Sequence, residues 1–217
     1  MSRTARHEGL FDGAGNYTYH ILGCGAIGSS AAIQLARMGG VNFHLYDRDK
    51  VEDVNIGVSQ YGEKDIGMEK VDALKNHLLN ISRELIIDAH SGDFDTFYFQ
   101  DHNDLVILGF DSMQSRLEAV TTICSNPTAK PKCIIDGRMG AEHYQQYVYT
   151  KPTLAKYKQH WYSDEQGDEE PCNAKATSYC SNMSGSFIAN AVRKFITDAP
   201  LNGNFSFHFP TMMLNKI

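Results

Sequence analysis

Nowhere in its 217 residues does the chain hold an apolar run long enough for a membrane helix, which argues against a spanning segment. Lysine and arginine never cluster, and the net charge is −6, so a general nucleic-acid partner lacks its phosphate footprint. A local basic pocket for a nucleotide is still compatible with that balance. The five cysteines are odd in number and lack framework spacing, which fits a reducing compartment better than a disulfide scaffold. Residues Met1 to Gly15 are polar and lack the apolar middle of a secretory signal, so a cytoplasmic protein is expected. No internal repeat or low-complexity segment is seen. What remains is an ordinary globular composition, 42% apolar and 21% charged, of a length that suits one sizeable domain.

Strands and helices alternate after residue 16. Tyr17–Leu22 is a short aromatic and β-branched strand, Ser29–Met38 an Ala-rich helix stopped by Gly39-Gly40, and Asn42–Tyr46 a second strand ending at Asp47. Asp65–Asn80 carries Ile66, Val71, Leu74 and Leu78 at helical spacing, and Leu85–Ala89 reads as a third strand. Leu105–Leu108 is a continuous apolar run of the kind buried on both faces, Ser112–Ser125 is helical, and Lys132–Ile135 is a further strand. The order predicts an α/β fold, Rossmann-like and doubly wound, with a mainly parallel sheet. After it come an extended aromatic segment, Glu142–Thr150, and a polar stretch, Lys151–Pro171, too long for an ordinary loop. A long helix over Ala174–Thr197 and a terminal strand over Asn204–Phe209 complete the chain. The expected organisation is one unit: an N-terminal arm (1–16), a nucleotide-binding core (17–150), a crossover loop (151–173), and a C-terminal helix and strand (174–217).

Gly23-x-Gly25-x-x-Gly28 falls between the first strand and its helix, where backbone N–H groups and the helix dipole suit a phosphate. Asp47 ends the second strand, where a carboxylate can accept ribose hydroxyls. The bland alternative is a tight strand–helix turn with no ligand. The unit itself does not separate NAD from ATP.

The residues after Asp47 resemble a known family more specifically. Asp47-Arg48-Asp49-Lys50-Val51 leading to Asn55-Ile56 resembles the D-x-D-x-V-x-x-x-N-L segment of the ThiF/MoeB/HesA family, relatives of ubiquitin-activating enzymes. Ile66-Gly67-Met68-Glu69-Lys70 resembles that family's I-G-x-x-K. Gly109-Phe110-Asp111-Ser112 with Arg116 resembles its D-x-x-D-N…R, and Gly137 to Gly140 its later glycines. The resemblance covers roughly residues 16 to 150. It implies ATP-dependent adenylation of a carboxylate, with Mg²⁺, by a homodimer acting on a small ubiquitin-like or sulfur-carrier protein. Gly23, Gly25, Gly28, Asp47, Asp49, Asn55 and Lys70 would then contact the nucleotide, and Asp111 would hold Mg²⁺. These types suit the chemistry on their own terms. Attack on an α-phosphate needs placement and charge neutralisation more than covalent help. Lysine offers a point charge, and a carboxylate beyond a strand end offers a magnesium ligand. Read alone, Lys70 is also a solvated helix lysine, Asp111 a helix cap and Asn55 a turn residue.

The chain departs from the family pattern at two places. Val58 and Ser59 stand where an arginine and a glutamine are usual, leaving Arg3 or Arg6 of the arm, Arg48 or Arg138 to supply that charge. The Cys-x-x-Cys zinc pairs are absent, so no structural zinc is expected. Cys172 lies just before the last long helix, where a thiol gains nucleophilicity, and is the candidate for a thioester step; an inert cysteine is the alternative. Cys24 and Cys180 read as packed fillers, and Tyr144–Tyr149 as a candidate contribution to a dimer contact. Two other functions stay open at this stage: an NAD-dependent oxidoreductase and a catalytically inactive scaffold subunit.

Overall fold

The computed structural model describes residues 4–10, 12–94, 103–126, 131–166, 176–201 and 203–217. Its frame is one eight-stranded sheet in the order β3-β2-β1-β4-β5-β6-β7-β8. The strands are β1 (Thr18–Leu22), β2 (Asn42–Asp47), β3 (Ile86–Ser91), β4 (Asp104–Leu108), β5 (Cys133–Gly140), β6 (His143–Thr150), β7 (Phe205–His208) and β8 (Met213–Lys216). The first five pair in parallel, and β5 to β8 form an antiparallel extension. The helices are α1 (Ala26–Met38), α2 (Asp53–Ile56), α3 (Lys70–Ile81), α4 (Met113–Ser125), α5 (Leu154–Lys158) and α6 (Ser178–Ile196). No described helix is long and apolar enough to cross a membrane.

Alternation along the strands decides which helix covers which face. Tyr19, Ile21, Phe43, Leu45, Leu105 and Ile107 point to one side and pack with α1, α3 and α6. Leu22, Val106, Leu108 and Ile134 point to the other and pack with Ala119, Val120 and Ile123 of α4 and Tyr157 of α5. Strands β1 and β4 are therefore buried on both faces, and their polar members His20 and Asp104 are buried as a pair. Helix α1 ends because Gly39 takes φ +111°, closing the helix with N–H bonds to Ala36 and Leu35 carbonyls.

Several boundaries differ from the sequence expectation. The helix expected from Asp65 begins at Lys70: Asp65 ends a 3-10 turn, Gly67 takes φ +84°, and Ile66 is exposed outside the helix. Strand β5 runs on through Gly137–Gly140, past the expected end at Ile135, because β6 pairs with it to the last residue. The polar stretch after Thr150 holds α5, and a second C-terminal strand, β8, was not foreseen. Tyr144, Tyr147 and Tyr149, considered for a dimer contact, are buried within the chain, and β6 pairs with β5 along its length and with β7 over His143–Gln146.

A polar seam crosses β1, β2 and β3 on the α4 side. His20 stacks on His44 at 4.8 Å between ring centroids, and His44 on His90 at 5.5 Å. His20 Nε2 meets Asp104 Oδ1 at 2.9 Å, with neither side chain exposed, and Asp88 and Tyr46 flank the row. Burial lowers the pKa of all three rings despite the carboxylates, that of His44 to about 4. A base whose pKa falls on folding stabilises the fold above its unfolded value near 6.5 and loses that contribution as pH drops towards 4. For His44 the loss amounts to about 3 kcal/mol. Thermal melts from pH 7.5 to 5 should show a falling Tm, flattened in His44→Phe; a Tm independent of pH in that window would refute it.

Candidate active site

In the order 3-2-1-4-5 the succession of strands switches from one side of β1 to the other between β1 and β4, and open α/β sheets bind ligands there, beyond the carboxyl ends of the strands. The three glycines have three different environments. Gly23 takes φ +87°, and a Cβ on it would lie 2.7 Å from the backbone of Gly109 and Phe110. A Cβ on Gly28 would be driven into the Gly23 carbonyl oxygen. At Gly25 a Cβ would meet nothing within 4 Å. The first and third glycines bring loop, helix and the β4 end together, and the second leaves open space at the start of α1. That is the cradle a phosphate needs.

Asp47 braces this loop. Its Oδ2 accepts the Cys24 N–H at 2.7 Å and its Oδ1 the Asp49 N–H at 2.9 Å. Burial raises its pKa above the ordinary carboxylate value, against the opposing pull of Lys70 and the two N–H groups. Tyr61, unremarked in the sequence, donates its hydroxyl to the Cys24 carbonyl at 2.5 Å and lies 3.2 Å from that of Lys70. Lys70 opens α3, held in place because Asp49–Val51 pairs with Gly67–Lys70: Lys70 N–H donates to Asp49 O, and Val51 N–H to Met68 O.

The Lys70 Nζ donates to Asp49 Oδ2 at 2.9 Å, and its side chain is 11% exposed. Burial alone would lower its pKa; the carboxylates of Asp47, Asp49 and Asp111 outweigh that and hold it above the ordinary lysine value. Asp111, an exposed residue following β4, is among the smaller contributions that raise the pKa of both Lys70 and Arg48. It is not the cap of α4: Ser112 accepts the Ser115 N–H, and Asp164 accepts those of Met113 and Gln114. Asn55 does cap, its Oδ1 accepting the Glu52 N–H, while its side-chain N–H groups have no partner among the described residues.

Of the arginines considered, Arg48 is beside the crevice, paired with Asp93 at 2.9 Å and felt by Asp49 and Asp111. Arg138 is not: it is buried, bound to Asp136 through Nε and Nη2 and to the His160 carbonyl through Nη1. Arg116 bonds the other Asp136 oxygen and the Phe110 carbonyl, so one carboxylate holds two guanidiniums. The Asp-x-Arg spacing of Asp136 and Arg138 on one strand face was the available sign of that pairing. Arg6 lies in an arm whose Thr4 packs near Gly39, at the opposite end of α1 from the glycine loop. Arg3 and Cys172 lie outside the described residues. Cys24 and Cys180 are fully buried with raised pKa values, as packed thiols are.

The ThiF family profile matches residues 7–216 of this chain. The chain belongs to the ThiF family. Among curated proteins it is 30% identical over 122 residues to ubiquitin-like modifier-activating enzyme 5 of Caenorhabditis briggsae, covering 50% of this chain and 28% of that one. The mouse protein of the same name is 28% identical over 124 residues, covering 50% of this chain and 30% of that one. Among solved structures, E. coli MccB with MccA-N7isoASN superimposes with a TM-score of 0.74 at 20% identity, covering 93% of this chain and 64% of that one. E. coli MccB with ATP gives 0.72 at 18%, covering 93% and 63%. The chain thus spans about three-tenths of those curated relatives and just under two thirds of those structures. The structural likeness shows the ThiF fold: a parallel β3-β2-β1-β4-β5 core with antiparallel strands after it.

Proposed function

We propose that the protein binds Mg²⁺–ATP at the glycine loop and adenylates a carboxylate, the C-terminus of a small ubiquitin-like or sulfur-carrier protein. The observation that carries this is the glycine loop itself: open space at Gly25, a brace from Asp47, and the Lys70 ammonium held by Asp49, whose N–H that same Asp47 accepts. Lys70 and Arg48 face Asp47, Asp49, Asp93 and Asp111 there, two cations against four carboxylates. An anionic triphosphate would be repelled from that surplus of negative charge unless a divalent cation came with it. Asp111, exposed and without a capping duty, is the residue to hold the cation, and Lys70 to meet phosphate oxygens. Asn55 has side-chain donors for the same oxygens, Asp49 holds Lys70 in place, and the remaining lone pairs of Asp47 face the ribose.

In the reaction, an acceptor carboxylate oxygen attacks the α-phosphorus and pyrophosphate leaves; the protein's part is placement and charge neutralisation. Residues 1–217 act as one adenylation unit in this reading, and pairing of two copies would bring an arm arginine to the partner's site. A thioester on Cys172, formed as its thiolate displaces AMP, is a separate second step that stands on sequence alone. Family membership favours adenylation over NAD chemistry, while the missing arginine near Val58 keeps the inactive scaffold as the second reading.

Isothermal titration should show Mg²⁺–ATP binding in preference to NAD, and ATP–pyrophosphate exchange should depend on an acceptor ending in a free carboxylate. Preferential NAD binding would refute the proposal; ATP binding without exchange for any acceptor would favour the scaffold.

A further inference from the structure

Asp111 follows a backbone held at one end and precedes one held at the other. Before it, the Phe110 carbonyl accepts from buried Arg116, itself pinned by Asp136. After it, the first turn of α4 is gripped by the segment that follows α5 on the same face of the sheet. Asp164 accepts the Met113 N–H at 2.7 Å, the Gln114 N–H at 3.3 Å and the Ser112 hydroxyl at 3.3 Å. Trp161 donates its indole N–H to the Met113 carbonyl at 2.9 Å. The segment is anchored from behind by Arg138, which donates to the His160 carbonyl at 2.8 Å and lies over the rings of Tyr147 and Tyr162 at 4.3 and 5.1 Å. Both guanidiniums share the Asp136 carboxylate, so the strand end carrying Asp111 and the strap over α4 are tied to one buried charge.

We propose that Asp164 is a positioning residue: by latching the strap 160–164 onto the first turn of α4, it fixes the turn after β4 that carries Asp111. This rests on the reading of Asp111 as the residue that holds the nucleotide's metal. A carboxylate receiving two backbone N–H groups and a hydroxyl makes charge-assisted bonds at a helix start, strong enough to order an exposed strap. Without it, α4 keeps its ordinary cap in Ser112, and the strap is left with the Trp161 and Arg138 bonds alone.

The chain's one tryptophan, Trp161, is in the strap and reports on the latch without any ligand. In the full-length protein, Asp164→Ala should shift Trp161 emission to the red and increase its quenching by acrylamide. It should leave ATP affinity in EDTA unchanged and reduce the gain in affinity on adding Mg²⁺ by about tenfold. Ser112→Ala, which removes the helix cap and only one of the three bonds to Asp164, should lower Tm and move the other two readouts far less than Asp164→Ala does. If Asp164→Ala behaves like Ser112→Ala, or like the parent, the latch is refuted. Asp111→Asn separates the two claims. Loss of the Mg²⁺ gain in Asp111→Asn with its retention in Asp164→Ala refutes the latch alone. Retention in Asp111→Asn refutes the metal-holding reading and the latch with it.

Discussion

Lys70→Met is expected to lower acceptor-dependent ATP–pyrophosphate exchange by about 10²–10³-fold, the loss typical of removing one preorganised charge from a phosphoryl site. Methionine keeps the length of the stem and its packing at the start of α3, so the change isolates the ammonium. Lys70 has three carboxylates around it and is the charge nearest the glycine loop's own brace, Asp47. Its pairing with Asp49 contributes little stability, because Asp49 is 57% exposed and surface pairs are worth about 0–1 kcal/mol. The melting temperature should therefore stay close to the parent's while exchange collapses. Lys70→Arg should recover only part of the rate, since a planar fork does not replace a point charge. A Lys70→Met protein exchanging at the parental rate would leave the proposed chemistry without its principal cation.

Gly28→Val and Gly25→Val should fail in opposite ways. At Gly28 any Cβ is driven into the Gly23 carbonyl, a backbone atom fixed by the positive φ of Gly23 and by the β4 end behind it. The loop must open or α1 must move off the sheet, at about 3 kcal/mol or more. Urea unfolding should show it as a lower midpoint, with nucleotide binding lost in consequence. At Gly25 the Cβ enters open space, so the fold should survive with a near-parental midpoint. ATP affinity should fall by at least about tenfold, because the side chain takes the room where phosphate would approach. Equal effects of the two substitutions on stability would show that the three glycines do not divide their tasks in this way.

Periodicity and glycine spacing made most of the parallel core legible. Continuous apolar strands, an Ala-rich helix closed by Gly39 and an acidic residue ending β2 are local signals, and locally determined structure followed them. The misread parts depended on distant partners. Ile66 has the right spacing for a helical face, yet Gly67 takes φ +84° and the helix starts at Lys70 rather than at Asp65. The strand expected to end at Ile135 runs on through Gly137–Gly140, although glycine weakens a strand, because β6 supplies a full set of pairing partners. Lys70 and Asp111 were recognisable only through resemblance; their electrostatic interaction depends on β2, β4 and α3 being stacked by the sheet. Asp164 and Tyr61 had no sign in the sequence, since each acts on backbone brought to it from another part of the fold.

The placement of the N-terminal arm has one more consequence. Thr4 is docked beside Gly39, and α1 separates that point from the glycine loop by about 20 Å, the length of thirteen helical residues. A charge donated by Arg6 to a nucleotide must then belong to a different molecule from the one whose loop cradles it. If paired copies exchange that charge as proposed, two crippled proteins, one without Arg6 and the other without Lys70, would regain a single intact centre when combined, although neither has one alone.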